Sequence, residues 1–405
     1  MDERRLRYAQ GVVIAVWLAF AVKLMIADVW DETSGMIAFS SASLSLVQKL
    51  HFALTQSLGF WRPLPTMFVA TVLHFVTDFD VSWRLLRFVN IAMLIGALAI
   101  LLRLVHRELR PLLTIAFLFS GGAVITAGWY ANIFDASALL MIALSLSLLL
   151  RGNDVHAGVI AGIAFFCKES AALVLPFLIV LCAAKHITFK QVLRAAIPAT
   201  IVGAIYFALR AQVIPFGSAS DVHTFAPEMF LPSFVHFAES FWEQTLKSRD
   251  LLGFFFLAIS FAALRRVQVI AAAIVFFCTT AIIYWGMFNE YQNGVVIKHF
   301  NFIGRLYLIP VTLMLLLLAL EKQKKVIALL LLPIVFGGVM TWRDHARFQR
   351  TYKRIYSHAA RTRVKPLTVH YPWKELEDPV RGVRIGNIPN ASITIDARTG
   401  QLVYR

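Results

Sequence analysis

Cysteine is nearly absent from this chain: there are three, Cys167, Cys182 and Cys278, each inside an apolar stretch. None stands in a CxxC or Cys/His spacing, so neither a zinc site nor a disulfide framework is implied, and the three are expected to be small core residues. Charge is scarce too. Only 15% of the residues are charged, against about 25% in an ordinary soluble domain. With 59% hydrophobic residues and a mean hydropathy of +0.70, the shortage excludes a soluble globular protein and leaves a polytopic membrane protein. A clean small-x-small cleavage site is missing around Ala27-Asp28, and there is no long internal repeat or low-complexity segment. The first apolar stretch therefore reads as a signal anchor, with Arg4, Arg5 and Arg7 holding the N-terminus in the cytoplasm.

What charge there is runs strongly one way, to a net +16. The basic residues fall in short clusters beside apolar runs, as in 106–110, Arg265-Arg266 and 322–325. That is the positive-inside pattern, with attraction to anionic membrane lipids, and no nucleic-acid motif accompanies it. Nucleic-acid binding is rejected.

Apolar runs fall at 10–27, 63–78, 84–105, 111–129, 134–150, 157–183, 193–214, 250–264, 267–288, 303–320 and 325–342. Measured against a span of about 20 residues, they predict roughly 10 to 12 transmembrane helices. The run 157–183 is too long for one upright helix; Lys168-Glu169 interrupts it, leaving two short spans or one long tilted one. Basic clusters at 106–110, 185–190, 265–266 and 322–325 go inside, and the stretches 28–61, 129–135, 215–248 and 289–304 go outside. If 63–78 and 84–105 both cross, however, the cluster at 106–110 lands on the wrong side. The repair is a short helix over 63–78 that dips in and returns, as Pro63, Pro65 and the acidic tip Asp78-Phe79-Asp80 permit.

The expected organisation is an all-α membrane domain over 1–342, with outer loops 28–61 and 215–248, followed by a basic linker and small tail over 343–405. In the tail, Val383-Arg384-Ile385 and Ser392-Ile393-Thr394-Ile395 alternate as strands do. Asp396 to Gly400 reads as a turn before Gln401-Leu402-Val403-Tyr404. A small β-containing extracytoplasmic tail is expected, too short for an independent enzyme domain.

Five polar islands border or interrupt the spans. Asp31-Glu32 follows the first span, where acids either solvate a helix end or serve chemistry. Arg62, in Trp61-Arg62-Pro63-Leu64-Pro65, either snorkels beside an interfacial tryptophan or binds phosphate through its planar fork. Asp135 is either an N-cap or a second functional acid. Lys168-Glu169 reads as an ion pair within the membrane, structural or ligand-binding. Arg305 and Tyr307 open a late span, as interfacial anchors or, with Lys298 and His299, as an anion-binding rim.

Taken in order, Phe60-Trp61-Arg62-Pro63-Leu64, Arg87-Phe88-Val89-Asn90, Phe117-Leu118-Phe119 leading to Trp129 and Asp135, and Phe166-Cys167-Lys168-Glu169-Ser170 with Leu175-Pro176 resemble the GT-C membrane glycosyltransferases. The nearest branch is the protein O-mannosyltransferases and their tetratricopeptide-bearing relatives, over roughly residues 1–320. No tetratricopeptide repeats follow here, and no large carbohydrate-handling C-terminal domain.

The resemblance implies an integral-membrane, multi-pass glycosyltransferase. It would move a hexosyl or pentosyl unit from a polyprenyl-phosphate donor to a hydroxyl of a glycan, lipid or protein on the outer face. It carries the catalytic role of the acidic pair onto Asp31 and Glu32, and that of a second acid onto Asp135. It makes Arg62, Arg305 and Tyr307 partners of the donor phosphate, with Lys168 and Glu169 in support. Asp31 would be the general base of an inverting displacement. Glu32 and Asp135 would orient the acceptor or hold a divalent cation; no other cofactor is implied. A transporter or flippase for a lipid-linked substrate is the alternative, and a non-catalytic scaffold the third.

Overall fold

The computed structural model describes residues 3–26, 45–55, 61–76, 79–128, 132–214, 266–287, 308–339, 342–343, 367–370, 392–395 and 402–404. These residues are mostly helical. Asp31, Glu32, Lys298, His299, Arg305, Tyr307 and the segment 215–248 lie outside them.

The helices are α1 (Glu3–Ile26), α2 (Leu46–Thr55), α3 (Pro63–Phe75), α4 (Phe79–Leu104), α5 (Arg110–Leu118), α6 (Gly121–Gly128), α7 (Ile133–Leu149), α8 (Asp154–Phe165), α9 (Val174–Ala183), α10 (Phe189–Val213), α11 (Val267–Met287), α12 (Leu308–Leu320) and α13 (324–339). Local chemistry sets several of their starts. Ser45 and Gln48 close a capping box on α2, as Thr188 and Gln191 do on α10. Proline opens α3 and α5, where its missing N–H costs nothing.

Contacts fix the direction of each pass. Ser145 at the end of α7 bonds the Ala157 carbonyl at the start of α8, so these two run antiparallel. Gln191 bonds Asp154 and Gly203 lies against Phe165, so α8 and α10 run parallel, with α9 returning between them. Phe177 meets Phe276 at 5.8 Å while Arg266 bonds the Ala184 carbonyl, which sets α11 antiparallel to α9. The lower end of the bundle thus collects Arg151, Lys185, Thr188, Arg266 and Lys322. The upper end collects Arg62, Asp135 and Lys168.

Helix α4 runs beside α7 in the same direction: Asn90 bonds the Thr126 carbonyl near the top, and Gly96 faces Leu140 at mid-height. The cluster 106–110 therefore reaches the lower, basic end. Helix α3 has 13 residues, about 20 Å at 1.5 Å per residue, too short for an upright crossing. Ser82, in the first turn of α4, bonds the Val76 carbonyl just past the end of α3.

The segment 157–183 is two short helices running in opposite directions, not one tilted helix. After Phe165 the backbone leaves the helix, Lys168 is extended (φ −166°, ψ 140°), a 3-10 turn spans Glu169–Leu173, and α9 descends. Among the described residues, two helices are long and apolar enough to cross a membrane, within α4 and α10. A third qualifies if α5 and α6, bent by 57° at Phe119-Ser120, count as one. The breaks at 119–120 and 166–173 divide two of the hydrophobic runs into shorter helices.

A close seam joins α8 to α10. A Cβ on Gly158 would sit 2.1 Å from the Ala195 carbonyl oxygen, and one on Gly162 would sit 2.5 Å from Val202 Cβ. This Gly-x-x-x-Gly pair lets the two backbones approach. The core is mostly aliphatic, with Leu94, Leu98, Leu139, Leu146 and Leu181 almost fully enclosed beside Trp17, Phe117 and Phe177. One expectation is corrected: Cys167 is buried, but Cys182 is half-buried and Cys278 is exposed on α11. Three short strands, β1 (Leu367–His370), β2 (Ser392–Ile395) and β3 (Leu402–Tyr404), form an antiparallel sheet in that order. The segment 383–385 lies outside the described residues.

Candidate functional site

Near the top of the bundle four charged side chains from three elements meet, and Arg87 on α4 and Arg210 on α10 are buried in the same half. Arg62 precedes Pro63, which keeps its backbone out of the helical region (φ −135°, ψ 73°). The first turn of α3 accounts for its donors economically. Pro63 and Pro65 have none, Leu64 N–H reaches the Phe166 carbonyl at 3.4 Å, and Thr66 N–H returns to the Arg62 carbonyl. This seats Arg62 against the break that follows α8.

Lys168 and Glu169 do not pair with each other, contrary to the sequence expectation. Lys168 is in extended backbone, where consecutive side chains point to opposite sides. Lys168 Nζ bonds Asp135 Oδ1, and both residues are buried. Glu169 turns the other way. Its Oε2 accepts from Arg62 Nε at 3.0 Å, and its Oε1 lies 2.9 Å from the Tyr206 hydroxyl. Two crossed ion pairs replace the single one.

Asp135 is not the N-cap of α7. Asn132 holds that position, and Asp135 lies in the first turn, where the helix dipole favours a carboxylate. The preceding residue, Phe134, faces the arginine, its ring centroid 5.2 Å from Arg62 Cζ. One turn of α7 therefore meets both cations. Asn132 and Asn90 cap α6, donating to the carbonyls of Ile125 and Thr126 in its last turn.

Tyr206 ties α10 into the site. Its hydroxyl also lies 2.8 Å from the Trp61 carbonyl, and its ring stacks on Trp61 at 5.5 Å. The Trp61 indole N–H bonds the Leu54 carbonyl in the last turn of α2. Sequence reasoning missed Tyr206, which is one aromatic in a long apolar helix; its spacing carries no signal.

Chemically, two cations and two carboxylates pair in apolar surroundings, and a further buried guanidinium, Arg210 on α10, lies close enough to act on the Tyr206 hydroxyl. Such pairs add little net stability, because desolvation offsets attraction. What they supply is fixed charge: a guanidinium held by Glu169 and an aromatic face needs little reorganisation to meet an anion. Asp135 stands as the counter-ion of Lys168. No group of three His, Cys, Asp or Glu side chains able to hold a metal occurs among the described residues.

Comparison with known proteins finds no matching family, no matching curated protein and no matching solved structure.

Proposed function

We propose that this chain is a multi-pass membrane glycosyltransferase that takes its sugar from a polyprenyl-phosphate donor at the upper end of the bundle. The observation that carries the reading is the pair of buried cations, Arg62 and Lys168, each held by a carboxylate at one end of an apolar bundle. Buried intramembrane charges are rare and mark substrate paths or catalytic sites. Membrane placement draws support from α10, whose exposed Phe189, Leu193, Ile197, Ile201, Ile205 and Leu209 form a stripe at every fourth residue. At 1.5 Å per residue the stripe rises about 30 Å, the thickness of the hydrocarbon core. The loops at its lower end are basic, which by the positive-inside rule makes the upper end the outer face. The N-terminus is then cytoplasmic, and the small tail extracytoplasmic.

In this reading Arg62, with Arg305 and Tyr307, stabilises charge developing on the leaving phosphate. Asp31 is the general base on the acceptor hydroxyl, attack at the sugar carbon is direct, and the configuration inverts. General-base assistance contributes about 10²–10⁴-fold. Glu32 orients the acceptor. Lys168 holds Asp135, and Glu169 holds Arg62.

The test is transfer from a polyprenyl-phosphate sugar by purified protein. Asp31→Asn should lower turnover by about 10²-fold or more, with membrane insertion and thermal midpoint unchanged. Unaltered transfer by that variant would sink the mechanism. Translocation of the lipid across liposomes without a new glycosidic product would favour a flippase instead.

A further inference from the structure

Three helices that descend to the lower end, α7, α9 and α12, finish in the same way. Gly152 N–H bonds the Leu149 carbonyl and Asn153 N–H the Leu148 carbonyl. Lys185 and His186 repeat the pattern onto Cys182 and Leu181, and Lys322 and Gln323 onto Ala319 and Leu318. Each is a Schellman cap, whose key residue must be left-handed: φ is 83° at Gly152, 62° at Lys185 and 55° at Lys322. Glycine takes that conformation freely and lysine does not. The first cap uses the favoured residue; the other two accept strain to carry a cation.

The two caps are neighbours. Glu321 lies 3.0 Å from His186 Nε2 and 3.9 Å from Arg266, and Arg266 also bonds the Ala184 carbonyl. The acids packed among these loops are thus engaged: Glu321 by those two, and Asp154 by Gln191 and Arg194. Arg151, Lys185, Lys190, Lys322, Lys324 and Lys325 are exposed, and Glu108 is the exposed acid at this end among the described residues. The left-handed turns present Lys185 and Lys322 at the tips of adjacent loops.

We propose that the caps at Lys185 and Lys322 form a contact surface for the headgroups of anionic phospholipid, and that this contact offsets the backbone strain. The proposal rests on the membrane placement of the preceding section and not on the transfer chemistry. A bare cap role is the competing account, since a cation at a helix C-terminus also complements the helix dipole. The two accounts differ in whether the lipid matters.

The experiment measures the thermal midpoint of the full chain in nanodiscs of phosphatidylcholine, and of equal parts phosphatidylcholine and phosphatidylglycerol. Wild-type protein should melt several degrees higher in the anionic discs. Lys185→Gly with Lys322→Gly should raise the midpoint in neutral discs by about 2–4 °C, because strain is relieved, and should erase most of the anionic increment. Lys185→Arg with Lys322→Arg, which keeps the charge, should keep the increment. Soluble phosphate added to neutral discs should not reproduce it. An equal fall for the glycine variant in both lipids, or an increment that survives glycine, overturns the proposal. Extraction of the chain without detergent would overturn the membrane placement, and the proposal with it.

Discussion

The two ends of this bundle treat charge in opposite ways. At the upper end two enclosed cations each hold a carboxylate, Lys168 with Asp135 and Arg62 with Glu169, and Arg87 and Arg210 are buried in the same half. At the lower end most cations face outward, and the pairs that form are longer or half-exposed, as in Arg194 with Asp154 at 3.9 Å. Desolvation makes the difference consequential. A buried pair gains little by existing but loses much when halved, whereas an exposed pair changes little either way. The upper end is therefore built to hold charges in place, and the lower end to display them.

That contrast can be broken in graded steps. The largest effect is expected from Lys168→Met, which leaves Asp135 enclosed without its cation. It should cost about 3–5 kcal/mol, read as loss of folded protein or a large drop in thermal midpoint. Adding Asp135→Leu should recover most of that loss; failure to recover would mean that Lys168 acts through some other partner. Next comes Tyr206→Phe, which keeps the stack on Trp61 and removes the hydroxyl from Glu169. A hydrogen bond to a charged group is worth about 1.5–3 kcal/mol. Arg62 should then lose its fixed orientation, and a polyprenyl monophosphate probe should bind more weakly. Unchanged binding would make the tyrosine purely structural. The smallest effect belongs to Arg194→Ala at the lower end, under about 0.5 kcal/mol by thermal melting. A larger loss there would erase the distinction between the ends.

How far the sequence foretold this depends on the residue. Arg62, Asp135, Lys168 and Glu169 were legible because charge inside an apolar run is conspicuous. Their partners were not, because adjacency suggests pairing while an extended backbone at Lys168 sends neighbours apart. The division of 157–183 was legible as an interruption, but whether the chain turned back or merely tilted was not. Only the 3-10 turn and the parallel course of α8 and α10 decide it. Tyr206 was invisible because its role comes from α10 lying against Trp61, a contact between residues far apart in the chain. The left-handed lysines were equally hidden, since glycine is the residue that announces such a cap.

The Gly158 and Gly162 seam has a consequence for how the chain is made. Its partner surface, Ala195 to Val202, is synthesised only after the whole of α9 and the turn at Lys185. At about 5–20 residues per second the glycine face of α8 waits a few seconds uncovered. During that interval nothing of α10 protects it. Helix α8, only 12 residues long, must be held by α7 alone. The order of synthesis thus favours α7 and α8 as a hairpin first, with the α10 seam closing only once α9 and α10 have followed.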